Sequence, residues 1–412
     1  MSSAALHPAQ TRAQLAAIAG DEHTQLAAGA VVVAPASAAE IAAVLRCAQE
    51  NRLPVTPTGA GTKLHWGNPV EAGIVLSLKR LNAVREHSWQ DMTCTVEAGC
   101  PWSSLQTQLQ QHGQMVALDP LWPDRATVAG VAATNDSGVL RHRYGSLRDL
   151  ILGMTLVLGD GTIAKTGGKV VKNVAGYDLH KLLIGSFGTL GVIAEINFRL
   201  HPIEMHVRTF TARASCPQSL APTLRMLLDA QFASSAIQIR SHAEAWSLDV
   251  RIAARPECIA DSAGRLQQIC APVALTESGE AVWEARQELF ARPGFIVLKI
   301  STLPSDICPL LTWLGEQAAG KGAEIAAVAQ AGGLLTVALR QGDEAALAFL
   351  HALRARARLH GGSMIVLGLP AEWRGSLDVW GCDSNAVNLM RAIKQRFDPY
   401  RLLNPGRFVE NL

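Results

Sequence analysis

The sequence has no run of 18 or more uninterrupted apolar residues, so no segment is predicted to span a bilayer. It also has no excess of one charge, because 37 basic side chains are balanced by 35 acidic ones. A nucleic-acid partner would show as a basic excess or patch, so we expect no nucleic-acid binding. The first ten residues lack a basic stretch followed by an apolar core. We therefore expect no signal peptide and no direct membrane anchor.

The eight cysteines form no Cys-x-x-Cys pair. This spacing argues against an iron–sulfur cluster or a structural zinc held by this chain alone. Scattered cysteines in a chain without an export signal are typical of reduced, buried thiols. We expect a cytoplasmic protein that reaches a membrane only through partners.

What the chain does contain is 49% apolar residues and 35 glycines in 412 residues, enough for two domains with many tight turns. Its start follows a β-α-β pattern, with strands at Gly29–Val33 and Val55–Pro57. Between them, Ser37-x-x-Glu40 is a capping box that opens a helix. One face of this helix is apolar, formed by Ile41, Val44, Leu45 and Ala48.

Later segments alternate between strand and helix patterns, and we find no internal repeat. Gly159-Asp160-Gly161 predicts the turn of a hairpin, because Asp-Gly supplies the positive φ angles of a tight turn. The predicted strands are Ile74–Leu78, Thr93–Val96, Met154–Leu158, Thr162–Ala164, Val192–Leu200 and Ile296–Ile300. The predicted helices are one with Pro101 at its first position, Leu220–Leu228, Glu344–His360 and Asn385–Arg396.

A glycine-rich loop at residues 57–67 follows the opening β-α-β pattern, with glycines at 59, 61 and 67. Glycine lets backbone approach a ligand, and successive free N–H groups form a nest for an anion such as a pyrophosphate. A plain surface loop between strands is the alternative. The loop is not a P-loop, because no Gly-Lys-Ser/Thr opens a helix. It is not a Rossmann fingerprint, because the third glycine and the following helix are missing.

Two further segments pack small residues together: Thr127–Gly138, and Gly185–Gly191 with its three glycines. A flat ligand lying against backbone would need such segments. A tightly packed helix and a helix-to-strand turn are the alternative interpretations.

Taken together, the ordered blocks resemble the FAD-linked oxidase family, of the p-cresol methylhydroxylase and vanillyl-alcohol oxidase type. The blocks are Pro57–Gly67, Leu118-Asp-Pro120, Thr127–Gly138 with Arg143-Tyr-Gly145, Lys172–Leu179, Gly185–Glu195 and Asp398-Pro…Leu403-Asn-Pro-Gly406. Within the family, Lys172–Leu179 and the short chain are most similar to the FAD-binding subunit of bacterial glycolate oxidases.

The resemblance implies an α+β fold with a two-lobed FAD-binding domain over residues 1–202. It implies an α+β cap domain for the substrate over 203–384, and a C-terminal segment, 385–412, that returns to the FAD domain.

The resemblance also implies the residues that bind FAD. Backbone around Pro57, Thr58, Gly59, Ala60, Gly61 and Thr62 would hold the pyrophosphate, with His65 and Trp66 beside it and Asp119 and Pro120 nearby. The flavin and ribityl chain would lie against Thr127, Gly130, Thr134, Asn135 and Gly138. The adenosine end would lie along Gly188, Thr189, Gly191, Val192 and Ile193, and Asn404 would close over the cofactor. Covalent relatives carry Gly-Gly-His in the first loop, and the comparable stretch here is Gly59-Ala-Gly61, so we expect non-covalent FAD.

The catalytic signal of the family is missing from the second domain. Hydroxyacid dehydrogenases of the family carry His-x-Gly-Asp-Gly-Asn-x-His, whose histidines bind a divalent metal. The comparable segment here runs from Gln330 to Val337 without histidine, so we expect no metal and assign no catalytic residue. Candidates for binding a substrate carboxylate are Arg225, Arg240, Arg251, Arg340 and the Trp283-x-x-Arg286 element, each with a surface or packing role as the alternative. Lys169 or Lys172 could place a cation near the flavin.

The resemblance therefore implies the FAD-binding subunit of a glycolate oxidase complex acting on a small 2-hydroxy acid. Its implied partners are a paralogous FAD-containing catalytic subunit and an iron–sulfur subunit. The alternatives are a self-sufficient FAD dehydrogenase of another hydroxy acid or alcohol, and a structural subunit whose FAD site has decayed.

Overall fold

The protein is described by a computed structural model that covers residues 8–169, 176–230, 232–242, 245–271, 273–340, 343–370, 373, 377–382 and 384–412. The first half of the Lys172–Leu179 block, residues 172–175 and so Lys172 itself, lies outside the described residues. The helices are α1 (Pro8–Ala19), α2 (Ala38–Asn51), α3 (Trp102–Gln110), α4 (Val128–Thr134), α5 (Arg141–Tyr144), α6 (Leu147–Leu150), α7 (His180–Leu183), α8 (Ala221–Asp229), α9 (Ile259–Cys270), α10 (Ala285–Phe290), α11 (Ile307–Lys321), α12 (Asp343–Leu359) and α13 (Ser384–Phe397).

The strands fall into three larger groups along the chain. The first group is β1 (Thr24–Ala27), β2 (Ala30–Val33), β3 (Val55–Thr58) and β4 (Ile74–Ser77). The second is β5 (Val84–Ser88), β6 (Thr93–Glu97), β7 (Gln114–Met115), β8 (Ile151–Val157), β9 (Ile163–Gly167), β10 (Val192–Arg199) and β11 (His201–Pro202). The third is β12 (Val207–Ala214), β13 (Ser234–Ser241), β14 (Trp246–Ala253), β15 (Leu275–Ser278), β16 (Ile296–Ser301), β17 (Glu324–Gln330), β18 (Leu334–Arg340) and β19 (Ser363–Gly368).

The chain forms two compact units. The first contains the residues up to Ser137, Ser146–Ile203 and Cys382–Leu412, and the second contains Gly138–Gly145 and Glu204–Gly381. The mixture of helices and sheets confirms the predicted α+β class. No helix among the described residues has both the length and the apolar character needed to cross a bilayer.

The described part of the first unit contains a two-stranded sheet, β11-β7, and two larger sheets. One has the order β1-β2-β4-β3, in which β2, β4 and β3 run parallel. The other is antiparallel, with the order β5-β6-β10-β8-β9. The predicted hairpin is confirmed as the β8–β9 pair, in which Val157 lies opposite Ile163. The C-terminal segment joins the first sheet beside β3, because Val55 N donates to Leu402 O at 2.8 Å and Asn404 N donates to Val55 O at 2.9 Å.

Helix α2 shows how local sequence determines structure here. The Ser37 side chain accepts a hydrogen bond from Glu40 N at 3.1 Å, which caps the helix as predicted. The Glu40 carboxylate bonds Ala36 N rather than Ser37 N, so only half of the capping box forms. The predicted apolar face is buried in the core, and the helix ends at Arg52 in a left-handed conformation. Pro101 is the residue before α3, not its first residue, because its ψ of 139° is extended.

The second unit is one antiparallel sheet built from two topologically equivalent halves. The first half runs β12-α8-β13-β14-α9-β15 and the second runs β16-α11-β17-β18-α12-β19. Each half is a β-α-β-β-α-β motif. The sheet order, β15-β12-β14-β13-β17-β18-β16-β19, places the halves edge to edge through β13 and β17. The expectation of no internal repeat is therefore wrong at the level of topology, because this motif depends on strand order rather than on repeated residues.

Candidate functional site

A cleft lies in the first unit, where four separate segments meet. The cleft is lined by the loop after β3, by α4, by the loop before β10 and by one residue near the C-terminus. The lining residues are Pro57, Thr58, Gly59, Ala60, Gly61, Thr62, Lys63, Leu64, Leu78, Thr127, Ala129, Gly130, Ala133, Thr134, Phe187, Gly188, Gly191, Ile193 and Arg407.

The loop after β3 presents consecutive backbone donors to the cleft. The N–H groups of Gly59, Ala60, Gly61 and Thr62 have no acceptor among the described residues. The loop then turns back, because Leu64 N donates to Gly61 O at 3.2 Å and Gly61 has a φ of +74°. Four successive unpaired N–H groups form the kind of nest that binds phosphate oxygens.

Gly59 and Thr127 bring this loop against α4. A Cβ added at Gly59 would overlap Thr127 Oγ1, and one added at Gly130 would lie 3.1 Å from the same atom. Thr127 stands at the N-cap of α4 but makes no side-chain capping bond. Its buried hydroxyl has no hydrogen-bond partner among the described residues. Glycine at position 59 therefore allows close approach of two chain segments at the edge of the cleft.

The third wall is the loop before β10, which is held against α4 by backbone. Gly185 N donates to Ala132 O at 3.0 Å and Phe187 N donates to Ala133 O at 2.8 Å. Asn404 fixes the other side of this loop, because its Nδ2 donates to Phe187 O at 2.8 Å. A Cβ at Gly188 would lie 3.0 Å from that Nδ2 atom, and Asn404 Oδ1 is buried without a partner among the described residues.

Buried cations hold these segments in place. Lys63 Nζ lies 3.2 Å from Asp136 Oδ2 and donates to Leu121 O at 3.4 Å, so its amine points away from solvent into the interior. Lys394 on α13 bonds Asp398 at 2.6 Å and also donates to the carbonyls of Thr189 and Leu403, at 2.7 and 2.9 Å. Burial lowers the pKa of Lys394, although the Asp398 carboxylate opposes that shift.

Arg407 adds a third buried cation. Its Nη2 donates to the carbonyls of Lys63, Leu64 and Trp66, at 3.2, 3.2 and 3.3 Å. Burial lowers its pKa to about 10, so the guanidinium remains charged at neutral pH. The C-terminal segment is thus bound to the loop after β3 as well as to the loop before β10.

Many of the predicted FAD-binding residues meet at this cleft. Those that line it are Pro57, Thr58, Gly59, Ala60, Gly61, Thr62, Thr127, Gly130, Thr134, Gly188, Gly191 and Ile193. The Thr134 hydroxyl donates to Gly130 O at 2.8 Å, so this side chain already has a partner within α4. Asn404 touches the cleft wall through Phe187.

The other predicted residues lie elsewhere in the first unit, apart from Gly138, which belongs to the second. His65 is exposed, whereas Trp66 is buried with its ring 6.4 Å from that of Trp122. Thr189 donates its hydroxyl to Ser186 O at 2.7 Å. Ile193 on β10 faces the cleft. Successive residues of a strand face opposite sides of a sheet, so Val192 points away from the cleft and is fully buried. Asp119 is half-buried, Pro120 is buried, and Asn135 ends α4 with a φ of +47°.

Sequence reasoning missed several lining residues, namely Lys63, Leu64, Leu78, Ala129, Ala133, Phe187 and Arg407. Two of them could have been found, because Ala129 and Ala133 are one helical turn apart beside Gly130 and Thr134. Arg407 directly follows the Leu403–Gly406 motif, so its position next to a site segment was a usable signal.

The residues present fit FAD. A pyrophosphate needs donors such as the Gly59–Thr62 N–H groups, and flat rings need apolar walls such as Leu78, Phe187 and Ile193. The unpartnered Thr127 Oγ1 and Asn404 Oδ1 supply polar atoms at the walls. The lining contains no histidine, cysteine or tyrosine in the described part of the chain.

The candidate residues for substrate binding lie in the second unit, and four of the five candidate arginines have a carboxylate beside them. Arg225 and Arg340 are exposed and lie 3.5 Å from Asp229 and 2.5 Å from Glu324. Arg240 lies 2.6 Å from the fully buried Asp249. Arg251 lies between Glu280, at 3.3 Å, and Glu204, at 3.7 Å.

The remaining candidates are hydrogen-bonded, buried or paired within the chain. Trp283 Nε1 donates to Thr209 Oγ1 at 3.1 Å, and Arg286 is buried. Gln330 and Val337 are buried on neighbouring strands. Lys169 is exposed and pairs with Glu86. No cluster of three or more histidine, cysteine, aspartate or glutamate side chains suited to a metal occurs among the described residues.

Comparison with known proteins agrees with the geometry. The chain matches the FAD binding domain family over residues 29–167 and the C-terminal domain of FAD linked oxidases over residues 382–408. Its fold is similar to that of p-cresol methylhydroxylase, with a TM-score of 0.75 and 16% identity, covering 97% of this chain and 96% of that one. The chain thus carries the FAD binding domain and the C-terminal domain of FAD linked oxidases, and it is an FAD-dependent oxidoreductase.

Two relatives illustrate the similarity along the chain. The glycolate oxidase subunit GlcD of Bacillus subtilis is 27% identical, over 91% of this chain and 88% of its own length. The mitochondrial D-lactate dehydrogenase [cytochrome] of Arabidopsis thaliana is 38% identical, but over only 43% of this chain and 31% of its own length.

Proposed function

We propose that this chain is the FAD-binding subunit of a glycolate oxidase complex and takes part in the oxidation of glycolate to glyoxylate. The observation that carries the proposal is an FAD-compatible cleft in a chain that is similar to a glycolate oxidase subunit along nine-tenths of its length. The D-lactate dehydrogenase similarity is higher in identity but covers less than half of the chain.

In this proposal the Gly59–Thr62 N–H groups bind the FAD pyrophosphate, and Thr127 Oγ1 and Asn404 Oδ1 bind polar atoms of the cofactor. Lys63 and Lys394 keep the walls in register. Lys63 pairs with Asp136 beyond α4, and Lys394 donates to Thr189 O in the loop before β10, so each joins two of the segments that meet at the cleft. FAD, when bound, supplies a two-electron acceptor, which amino-acid side chains do not provide.

The second unit supports a role that depends on a partner. A 2-hydroxy acid needs a cation for its carboxylate and a base for its hydroxyl proton. The four candidate arginines are each paired with a carboxylate of the chain, and the Gln330–Val337 segment carries no histidine. We therefore propose that a paralogous FAD-containing subunit holds the small 2-hydroxy acid and catalyses its oxidation. This chain then relays electrons, and a separate iron–sulfur subunit accepts them.

A self-sufficient dehydrogenase is the second candidate. The 38% identity to a D-lactate dehydrogenase over 43% of the chain favours D-lactate as its substrate. In that case the lone chain would bind and oxidise the hydroxy acid without a partner.

Anaerobic titration of the purified chain, alone and in its complex, separates these candidates. The proposal predicts a yellow lone chain whose flavin stays oxidised with glycolate and with D-lactate, and a complex whose flavin is bleached by glycolate. A lone chain bleached by D-lactate would establish the second candidate. A chain without flavin, alone and in the complex, would indicate a structural subunit.

A variant of the complex tests the relay. Gly59→Ala in this chain places a Cβ against Thr127 Oγ1 and should weaken FAD binding to this subunit, so that less of it carries flavin. We expect glycolate to bleach the partner's flavin while transfer to an external acceptor falls with the flavin content of this subunit. Unchanged transfer would contradict a relay through this chain.

A further inference from the structure

Arg407 combines two properties that no other cation of the cleft wall shows in the described part of the chain. It lines the cleft, and its Nη2 donates to three carbonyls of the loop after β3, those of Lys63, Leu64 and Trp66. Lys63 also lines the cleft, but its ammonium lies 3.2 Å from the Asp136 carboxylate, which offsets its charge.

The bonded carbonyls connect Arg407 to the phosphate nest through a chain of peptide dipoles. Arg407 Nη2 donates to Lys63 O, and the same peptide unit carries Leu64 N–H, which donates to Gly61 O at 3.2 Å. That second peptide unit carries the N–H of Thr62, which lines the cleft and has no acceptor among the described residues. Hydrogen bonds in series polarise one another. The cation of Arg407, at one end of this series of hydrogen bonds, therefore increases the partial positive charge on the Thr62 N–H at the other end.

We propose that Arg407 is a positioning residue that supplies fixed positive charge for a pyrophosphate in this cleft, acting through the turn at residues 61–66. The inference rests on the proposed placement of the FAD pyrophosphate at Gly59–Thr62. A pyrophosphate carries negative charge, and a buried guanidinium in a region of low polarity interacts with it more strongly than an exposed one would. Arg407 therefore makes the cleft selective for the phosphate-bearing part of FAD over its ring systems.

The test compares three ligands on flavin-free protein: FAD, ADP, which shares the pyrophosphate, and riboflavin, which lacks phosphate. Arg407→Met should weaken FAD and ADP binding by about tenfold, because the buried charge no longer favours a pyrophosphate, and leave riboflavin binding unchanged. Arg407→Lys keeps the charge but not the planar fork, so it should give an intermediate loss. Arg391→Met is the matched control, because Arg391 is exposed and pairs with the exposed Glu410.

The outcomes separate this inference from the placement of the pyrophosphate. An equal loss for riboflavin and ADP in Arg407→Met would mean a general structural role and would overturn the inference. If Gly59→Ala weakens ADP binding and Arg407→Met does not, the placement stands and the role of Arg407 is wrong. If neither variant changes ADP binding, the placement itself fails, and the inference fails with it. Circular dichroism of each variant, with Arg407→Lys as the milder change, establishes that the fold is retained.

Discussion

Gly59 and Thr127 approach so closely that a single added methyl group at Gly59 would overlap the Thr127 hydroxyl. The contact joins the loop after β3 to the first residue of the α4 region, and both residues line the cleft. The sequence indicates glycine at position 59 for its backbone freedom. The structure adds a second reason, because the Thr127 side chain fills the space that a Cβ at position 59 would need.

Gly59→Ala should lower FAD affinity by about ten- to a hundredfold, because inserting a methyl into a packed contact costs about 1–3 kcal/mol. Titration of flavin-free protein with FAD measures the loss. The double variant Gly59→Ala with Thr127→Ala removes the overlapping atoms and should recover part of the affinity. Gly264→Ala is the matched control, because a Cβ there meets open space. Equal FAD affinity in the Gly59 and Gly264 variants would contradict the contact.

Lys63→Met should destabilise the protein by about 3–5 kcal/mol, because it leaves the fully buried Asp136 carboxylate without its cation. Urea unfolding measures this change. Adding Asp136→Asn removes the uncompensated charge and should restore part of the stability. Lys169→Met removes an exposed ion pair with Glu86 and should cost less than about 1 kcal/mol. Equal effects of the two Lys→Met changes would contradict the structural role of Lys63.

Asn404→Asp should weaken FAD binding by about ten- to a hundredfold, because it replaces the donor to Phe187 O with an oxygen that repels that carbonyl. It also adds negative charge beside a cleft proposed to hold phosphate. FAD titration and thermal unfolding together separate lost affinity from lost stability. Asn388→Asp is the control, since Asn388 is exposed and accepts from Arg391, as an aspartate would. An unaffected affinity in Asn404→Asp would show that this side chain does not contact the cofactor.

Stability should fall as the pH rises above 9. Burial raises the pKa of the Cys94 thiol to about 12 and the pKa values of the Cys100, Cys270 and Cys308 thiols to about 11, from a usual value of 9.0. Between pH 9 and 11 the unfolded chain loses these protons while the folded chain keeps them. The stabilisation is complete below pH 9 and is lost as the pH rises, by up to about 1.4 kcal/mol per pH unit for each thiol.

Urea unfolding under reducing conditions at pH about 8 and about 10 measures this slope. The lowered pKa values of Lys394 and Arg407 act in the opposite sense, because the folded chain then binds fewer protons than the unfolded chain. The raised pKa values of the four thiols, joined by that of Cys47, outnumber them. Cys270→Ala should lower the free energy of unfolding at both pH values. It should also make the fall of that free energy with pH less steep, because one of the titrating thiols is gone. A stability that is flat or rises between the two pH values would contradict the burial of these thiols.

The parts of the fold that depend on neighbouring residues could be predicted from the sequence. Ser37 and the apolar face from Ile41 to Ala48 determine α2, and Asp160-Gly161 marks the turn between β8 and β9. Helix α1 was missed, because Pro8–Ala19 is rich in alanine and glutamine and has no acidic residue in its first turn. The two equivalent halves of the second unit were missed because their similarity is one of strand order.

The parts of the site that depend on distant residues could not be predicted. Arg407 reaches the carbonyls of a loop at residues 63–66, and no local pattern links positions so far apart. The direction of the Lys63 side chain depends on Asp136, which lies in another segment. Strand alternation separates Val192 from Ile193, but the side that faces the cleft is set by how β10 packs.

The central claim, that this chain holds FAD in the cleft through non-covalent contacts, is tested most directly by the visible spectrum of the purified chain before and after acid precipitation. We predict a yellow protein with one flavin per chain, all of it released into the supernatant as FAD, and a paler Gly59→Ala variant with less flavin per chain. Flavin that stays with the precipitate, or a Gly59→Ala variant as yellow as the parent, would contradict the account.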